Sequence, residues 1–255
     1  MTVVDKNIPW LASYRRNPAA KLRLFCFPYA GGAALIYSNW FKSLPPQVEI
    51  CPIQLPGRGS RVLEKLFTRM EPLVEAVARE LRPLLDKPFA FFGHSMGAAI
   101  SFEVARLLRR EGAALPVHLF VSGRSAPQLH KPQRHAYKLP EAELIEELRR
   151  LKGTPAEVLE HPELMQVVLP LVRADFEVIQ TYTAAAEPPL DIPLTAFGGL
   201  MDDDVSREDL EAWRAQTTRA FSLRMLPGDH FYLTTNQQLL LPLLSQELYR
   251  HRHVS

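Results

Sequence analysis

The segment from Phe89 to Arg110 restricts the fold more than any other part of the chain. Phe89-Ala-Phe-Phe92 is an apolar run of the kind that forms a buried strand, and Gly93-His94-Ser95-Met96-Gly97 follows it without a spacer. A helical pattern then runs from Ala98 to Arg110, and Gly112 can end it. A strand that passes into a helix through G-x-S-x-G must turn sharply, which holds the serine in a strained conformation with its hydroxyl at the carboxyl edge of a sheet. Larger side chains at the two glycines would strike the neighbouring strand or helix. The helix start also brings unpaired N–H groups and a partial positive charge beside Ser95. The N–H of Met96 can therefore donate to an oxyanion.

The rest of the chain supplies a sheet for that junction. Apolar runs at Leu22–Phe27, Val48–Gln54, Phe89–Phe92, Val117–Ser122, Ile192–Phe197 and Ser222–Leu226 alternate with helical patterns at Met70–Leu85, Ala98–Arg110, Arg207–Thr217 and Gln237–Arg250. This alternation predicts a mostly parallel central sheet flanked by helices. Pro52 makes the second run an edge strand or a broken one. The segment between Ser122 and Ile192, about seventy residues, is far longer than one crossover helix needs. Its helical stripes (Leu144, Leu148, Leu151; Leu164, Val167, Val168, Leu171, Val172; Phe176, Ile179) predict a helical insertion, placed at 137–190, that covers the site as a lid. The expected architecture is thus one α/β-hydrolase domain over residues 1–255 with a helical lid inserted in it.

In that fold the partners of the nucleophile follow it as acid, then histidine. Of eight histidines, His94 is adjacent to the serine and points away from it, and His118, His130 and His135 precede any strand-end acid. His161 falls in the insertion, and His251 and His253 fall in a tail that reads as solvated. His230, in Leu226-Pro-Gly-Asp-His-Phe231 just past the last strand, is the expected base. The loop Gly-Arg-Ser-Ala-Pro-Gln after Ser122 has no carboxylate, so the acid is expected from Gly198-Gly-Leu-Met-Asp-Asp-Asp-Val205. Val205, three residues beyond, favours Asp202 as the acid and leaves Asp203 as the alternative. Asp229 adjoins His230 and is poorly placed to bond its neighbour's ring. A second oxyanion donor is expected from Phe27-Pro-Tyr-Ala-Gly-Gly32, through the N–H of Tyr29 or Ala30.

Composition narrows the remaining possibilities. With 30 Lys and Arg against 28 Asp and Glu, a general attraction to nucleic acid is not expected. Positive charge is concentrated early, however: Lys6, Arg15, Arg16, Lys21, Arg23, Lys42 and Arg58 face only Asp5 and Glu49. That bias is either a solvated surface or a docking face for an acidic partner. No apolar run approaches the roughly 18 residues of a membrane span, and no basic stretch with an apolar h-region opens the chain, so a cytoplasmic protein is expected. Cys26 and Cys51 lie inside apolar runs and read as buried thiols. Neither metal-ligand spacing nor a phosphate-binding glycine loop is present, so neither metal nor cofactor is expected. A monomer is the default.

Several motifs together resemble the type II thioesterases, stand-alone editing enzymes that accompany polyketide synthases and nonribosomal peptide synthetases. They are Leu24-Phe-Cys-Phe-Pro-Tyr-Ala-Gly-Gly32, Gln54-Leu-Pro-Gly-Arg58, Gly93-His-Ser-Met-Gly97, Arg173-Ala-Asp-Phe176, the Gly199-to-Val205 loop with Trp213 after it, and Gly228-Asp-His-Phe231. The resemblance implies hydrolysis of acyl thioesters from the phosphopantetheine arm of acyl or peptidyl carrier protein domains. It also implies that the lid's apolar lining forms the acyl channel. A medium-chain fatty acyl thioesterase or a general carboxylesterase of the same fold is the alternative.

Overall fold

In the computed structural model, residues 8–12, 14, 16–129 and 135–251 are described. Six strands form one sheet: β1 (Leu22–Phe27), β2 (Val48–Pro52), β3 (Phe89–His94), β4 (Leu119–Ser122), β5 (Leu194–Gly199) and β6 (Phe221–Leu226). Their order is β2-β1-β3-β4-β5-β6, and every neighbouring pair is parallel. Parallel strands are covered on both faces, which is why β1 and β3 are apolar almost throughout instead of alternating. Successive side chains point to opposite faces. Phe25, Phe27 and Phe91 pack against α1 (Met70–Leu81) and α2 (Met96–Arg110), while Leu24, Cys26 and Phe92 join the layer containing Leu240, Leu241, Leu244 and Leu248 of a C-terminal helix, Gln237–Arg250. Cys26 and Cys51 are buried free thiols. No helix among the described residues is long and apolar enough to cross a membrane.

Pro52 ends an edge strand, as its ring requires. The Ile53 N–H donates to the Cys26 carbonyl at 2.9 Å, so the position before it faces the open side, where no N–H is needed. The first long helix is shorter than its pattern predicts. It ends at Leu81 because Pro83 forces a tighter turn over Arg82–Leu84.

The segment between β4 and β5 is helical: α3 (Glu141–Leu151), α4 (Ala156–Leu159) and α5 (Pro162–Gln180). Ala136, Leu144, Leu148, Met165, Leu169, Val172 and Phe176 give it a small core of its own. Two expected stripe residues differ, since Leu164 and Val167 face outward and are exposed. The 3.6-residue period marks an apolar face but does not say how wide a partner covers it. Two short helices, α6 (Arg207–Glu211) and α7 (Tyr232–Thr235), precede the long C-terminal helix α8 (Gln237–Arg250).

The early positive bias is not one surface. Arg23 and Arg58 are buried: Arg23 Nε donates to Glu49 Oε2 at 2.7 Å, and Arg58 pairs with Asp175. Buried guanidinium groups need carboxylate partners, so these two charges are consumed inside the fold. Lys6, Arg15 and Asp5 lie outside the described residues.

His251 is half-buried and packed against the fold, where a solvated tail residue was expected. Its Nε2 lies 3.0 Å from Nδ1 of His118, which is stacked on Phe120 and reaches Thr195 Oγ1 at 2.9 Å. His253 and His130 lie outside the described residues. Burial, with His251 and Arg250 nearby, pushes the His118 pKa down to about 3. An unfolded histidine titrates near 6.5. Between these values the unfolded chain binds the extra proton, so the stabilisation is complete above about pH 6.5 and is lost as pH falls toward 3. Unfolding free energy should decline by up to about 1.4 kcal/mol per pH unit on this account. Denaturant titrations from pH 7 to pH 4 should give a shallower decline for His118→Gln than for the parent; equal slopes would remove His118 from the acid response.

Candidate active site

Only Ser95 separates β3 from α2. Its backbone stands at φ 53°, ψ −113°, an unusual conformation for a residue with a side chain, and costs on the order of 1–3 kcal/mol. The crossing is too close for side chains on either side. A Cβ on Gly93 would lie 2.2 Å from the Gly97 carbonyl oxygen, and one on Gly97 would lie 2.1 Å from that of Phe27. The Ser95 N–H donates to the Ser122 carbonyl at 2.7 Å, which ties the turn to β4. Helix α2 begins at Met96, two residues before the sequence pattern suggests, so the N–H after the serine opens the helix.

Because all six strands run the same way, the loops that leave their carboxyl ends meet at one rim. Asp202 lies just beyond β5 and His230 just beyond β6. Asp202 Oδ2 accepts from His230 Nδ1 at 2.7 Å, and Asp202 Oδ1 accepts from the N–H groups of Asp204 and Val205 at 3.0 and 3.1 Å. Val205 is buried beneath the loop. The carboxylate is thus fixed on three sides, with one oxygen left for the imidazole. Asp203 is exposed, and Asp204 faces Arg150 of α3 at 3.3 Å. Asp229 accepts from the Phe231 N–H instead of the ring next to it. The arrangement brings Asp202, not Asp203, to His230.

Ser95, His230, Tyr29 and Ala30 line one cavity of about 360 Å³. No hydrogen bond joins Ser95 Oγ to His230 here; in enzymes without substrate that bond is often long and closes only in the reacting complex. The inserted segment supplies Leu148, Leu151, Phe176 and Ile179 to the wall, and Arg124 and Tyr182 add polar surface. The loop holding Arg124 follows β4, so it opens on the same rim and faces the cavity although it has no carboxylate to offer His230.

The other histidines lie elsewhere or face other groups. His94 is fully buried, and its Nδ1 lies 2.8 Å from Ser122 Oγ, which in turn contacts the Tyr232 hydroxyl. Burial, with His230 beside it, holds the His94 pKa well below the usual range. The ring is therefore neutral packing behind His230, at 5.0 Å between ring centroids. His135 and His161 are exposed. Among the described residues, no cluster of His, Cys, Asp or Glu could hold a metal ion.

Sequence reasoning also passed over a buried ion pair behind the Tyr29–Ala30 loop. Both nitrogens of the Arg58 fork donate to Asp175 at 2.8 Å, and Asp175 Oδ2 also accepts from the Gly31 N–H at 2.7 Å. One signal could have found it. Asp175 stands on the apolar stripe of its helix, between Val172 and Val178, and a carboxylate there requires a partner.

A family profile described as a thioesterase domain matches residues 22–248. The chain is 47% identical over 248 residues, 97% of each chain, to the gramicidin S biosynthesis protein GrsT of Aneurinibacillus migulanus. Among solved structures it resembles RedJ, a thioesterase from the prodiginine biosynthetic pathway in Streptomyces coelicolor, with a TM-score of 0.85 and 43% identity over 90% of this chain and 91% of that one. It also resembles BorB, the type II thioesterase from the borrelidin biosynthetic cluster, with a TM-score of 0.85 and 34% identity over 94% of this chain and 97% of that one.

Proposed function

The chain belongs to the thioesterase family, and from that premise we propose that it is a type II thioesterase that removes acyl groups from the phosphopantetheine arm of carrier proteins. The observation that supports this most is the shared cavity: a strained serine, an imidazole bonded to a buried carboxylate, and a glycine-rich loop converge on one space.

Ser95 Oγ attacks the thioester carbonyl carbon while His230 takes the hydroxyl proton. Asp202 holds the proton on Nδ1, which leaves Nε2 as the base, and it stabilises the imidazolium that forms. The carbonyl oxygen becomes an oxyanion that accepts from the Met96 N–H and from the N–H of Tyr29 or Ala30; each such donor contributes about 10²–10³-fold to turnover. The C–S bond then breaks, and His230 returns its proton to the pantetheine sulfur. Water attacks the resulting acyl ester by the same route. His230 takes a proton from the water and delivers it to Ser95 Oγ, releasing a carboxylic acid and the free enzyme.

Helices α3 to α5 act as the lid, and their apolar residues in the wall form the acyl chamber. The enzyme works as a single domain and a cytoplasmic monomer, with neither metal nor cofactor; the substrate brings the pantetheine. The test is a panel of acyl groups loaded on one carrier protein, assayed beside the matching acyl-CoA and nitrophenyl esters by release of thiol or nitrophenol. Acyl-carrier thioesters should give a higher kcat/KM than the matching acyl-CoA and nitrophenyl esters. A preference for medium-chain fatty acyl carriers would favour the fatty acid synthesis reading, and a preference for oxygen esters would favour a carboxylesterase. Turnover no faster than the uncatalysed rate would remove the assignment.

A further inference from the structure

The loop that follows β1 is held from outside itself. A turn closes it, from the Gly32 N–H to the Tyr29 carbonyl at 2.9 Å. Three further backbone groups on its far side are fixed by buried side chains from distant segments. Asp175 Oδ2 accepts from Gly31 N–H at 2.7 Å, Arg58 Nη1 donates to Gly32 O at 2.9 Å, and Gln54 Oε1 accepts from Ala34 N–H at 2.9 Å. These three side chains are linked in turn. Arg58 grips Asp175 through both arms of its fork, and Gln54 Nε2 donates to the Arg58 carbonyl at 2.8 Å. All three residues are buried.

We propose that Gln54, Arg58 and Asp175 are positioning residues that hold the Tyr29 and Ala30 N–H groups where the oxyanion forms. This rests on the reading of Tyr29 and Ala30 as oxyanion donors. A glycine pair after those donors gives the loop no stiffness of its own, so its shape must come from neighbours. A buried ion pair is a poor device for stability, because an apolar pair of similar volume is often as stable or more so. What this pair supplies is direction: a planar fork and a carboxylate meet two consecutive backbone groups, Gly31 N–H and Gly32 O, in one fixed geometry. Donors act on a transition state only if they are already in place, and a misplacement of about 1 Å can cost about 10²-fold. Asp175 also stands on α5, so the inserted helix and the oxyanion loop are clamped as one unit.

Three variants test this: Arg58→Lys, the double Arg58→Met/Asp175→Leu, and Gln54→Met. The double variant replaces the pair by apolar side chains and should remain folded. Gln54→Met leaves the pair intact and reports even if the other two fail to fold. The readouts are kcat and KM on an acyl thioester, inhibition by an acyl trifluoromethyl ketone that forms a tetrahedral adduct with Ser95, and binding of an amide-linked acyl pantetheine that mimics the ground state. The expected result is a kcat about 10- to 100-fold lower, with the ketone weakened by a similar factor and with KM and amide binding unchanged. Folded variants that keep the parent kcat and ketone affinity would overturn the proposal, as would equal weakening of ketone and amide. A parent protein that hydrolyses no thioester fails the underlying reading instead, and this is seen before any variant is made.

Discussion

Replacing Ser95 with alanine is expected to lower turnover of an acyl-carrier thioester about a million-fold. Without the hydroxyl no acyl-enzyme forms, and the residual rate comes only from the oxyanion donors and from binding, which act on a direct attack by water. Stability should hardly change. Ser95 makes no side-chain capping bond to α2, so loss of Oγ leaves no buried partner unpaired. Alanine also carries a Cβ, so it inherits the same positive-φ strain at position 95 without adding to it. A change within about 0.5 kcal/mol is expected, as for substitutions that touch no cap, core or network. Thiol release by parent and Ser95→Ala, with thermal melts of both, makes the measurement. Labelling of the parent by a fluorophosphonate, and its loss in the variant, gives a second reading of the same point. A variant that kept one part in a hundred of the parent rate would mean that the attacking group is elsewhere.

The strained turn at Ser95 could be read from sequence because its signal is local: a few apolar residues, two glycines and a helical period are contiguous, and together they permit one turn. The pairing of Asp202 with His230 was also legible, for a topological reason. Once the sheet is parallel, every loop after a strand opens on the same rim, so the search reduces to a few short loops. The Arg58–Asp175 pair was not legible in that way. Its members belong to different segments, and Arg58 read from sequence as one of several surface charges, whereas in the fold it is buried against a carboxylate on α5. His118 and His251 show the same limit, since a strand-edge histidine and a residue in a seemingly frayed tail became neighbours only through packing. Periodicity in the inserted segment found α3 and α5 but missed the single turn α4, which is too short to carry a period, and it could not tell that Leu164 and Val167 face outward. For the buried pairs and the outward-facing residues, what failed was information about partners distant in the chain.

The choice between adjacent aspartates gives the second large expected effect. Asp202→Asn should lower turnover about 10⁴-fold, whereas Asp203→Asn should stay close to the parent. The structural reason is the way Asp202 divides its acceptors. Oδ1 takes two backbone N–H groups, so it must remain an oxygen, and the amide nitrogen of asparagine is then forced toward His230. An N–H facing Nδ1 stabilises the tautomer that carries its proton on Nε2, the form unable to accept from Ser95 Oγ. Turning the amide over restores the oxygen toward the ring but sets an NH₂ against the N–H groups of Asp204 and Val205, so neither orientation recovers the parent arrangement. Asp203 is exposed and holds no position beside the imidazole, so its amide changes only a surface charge. Single-turnover hydrolysis of one acyl thioester by the parent and both variants, measured at one pH, separates the two. A large loss in Asp203→Asn with a small one in Asp202→Asn would reverse the assignment of the acid, and with it the loop geometry on which the proton relay depends.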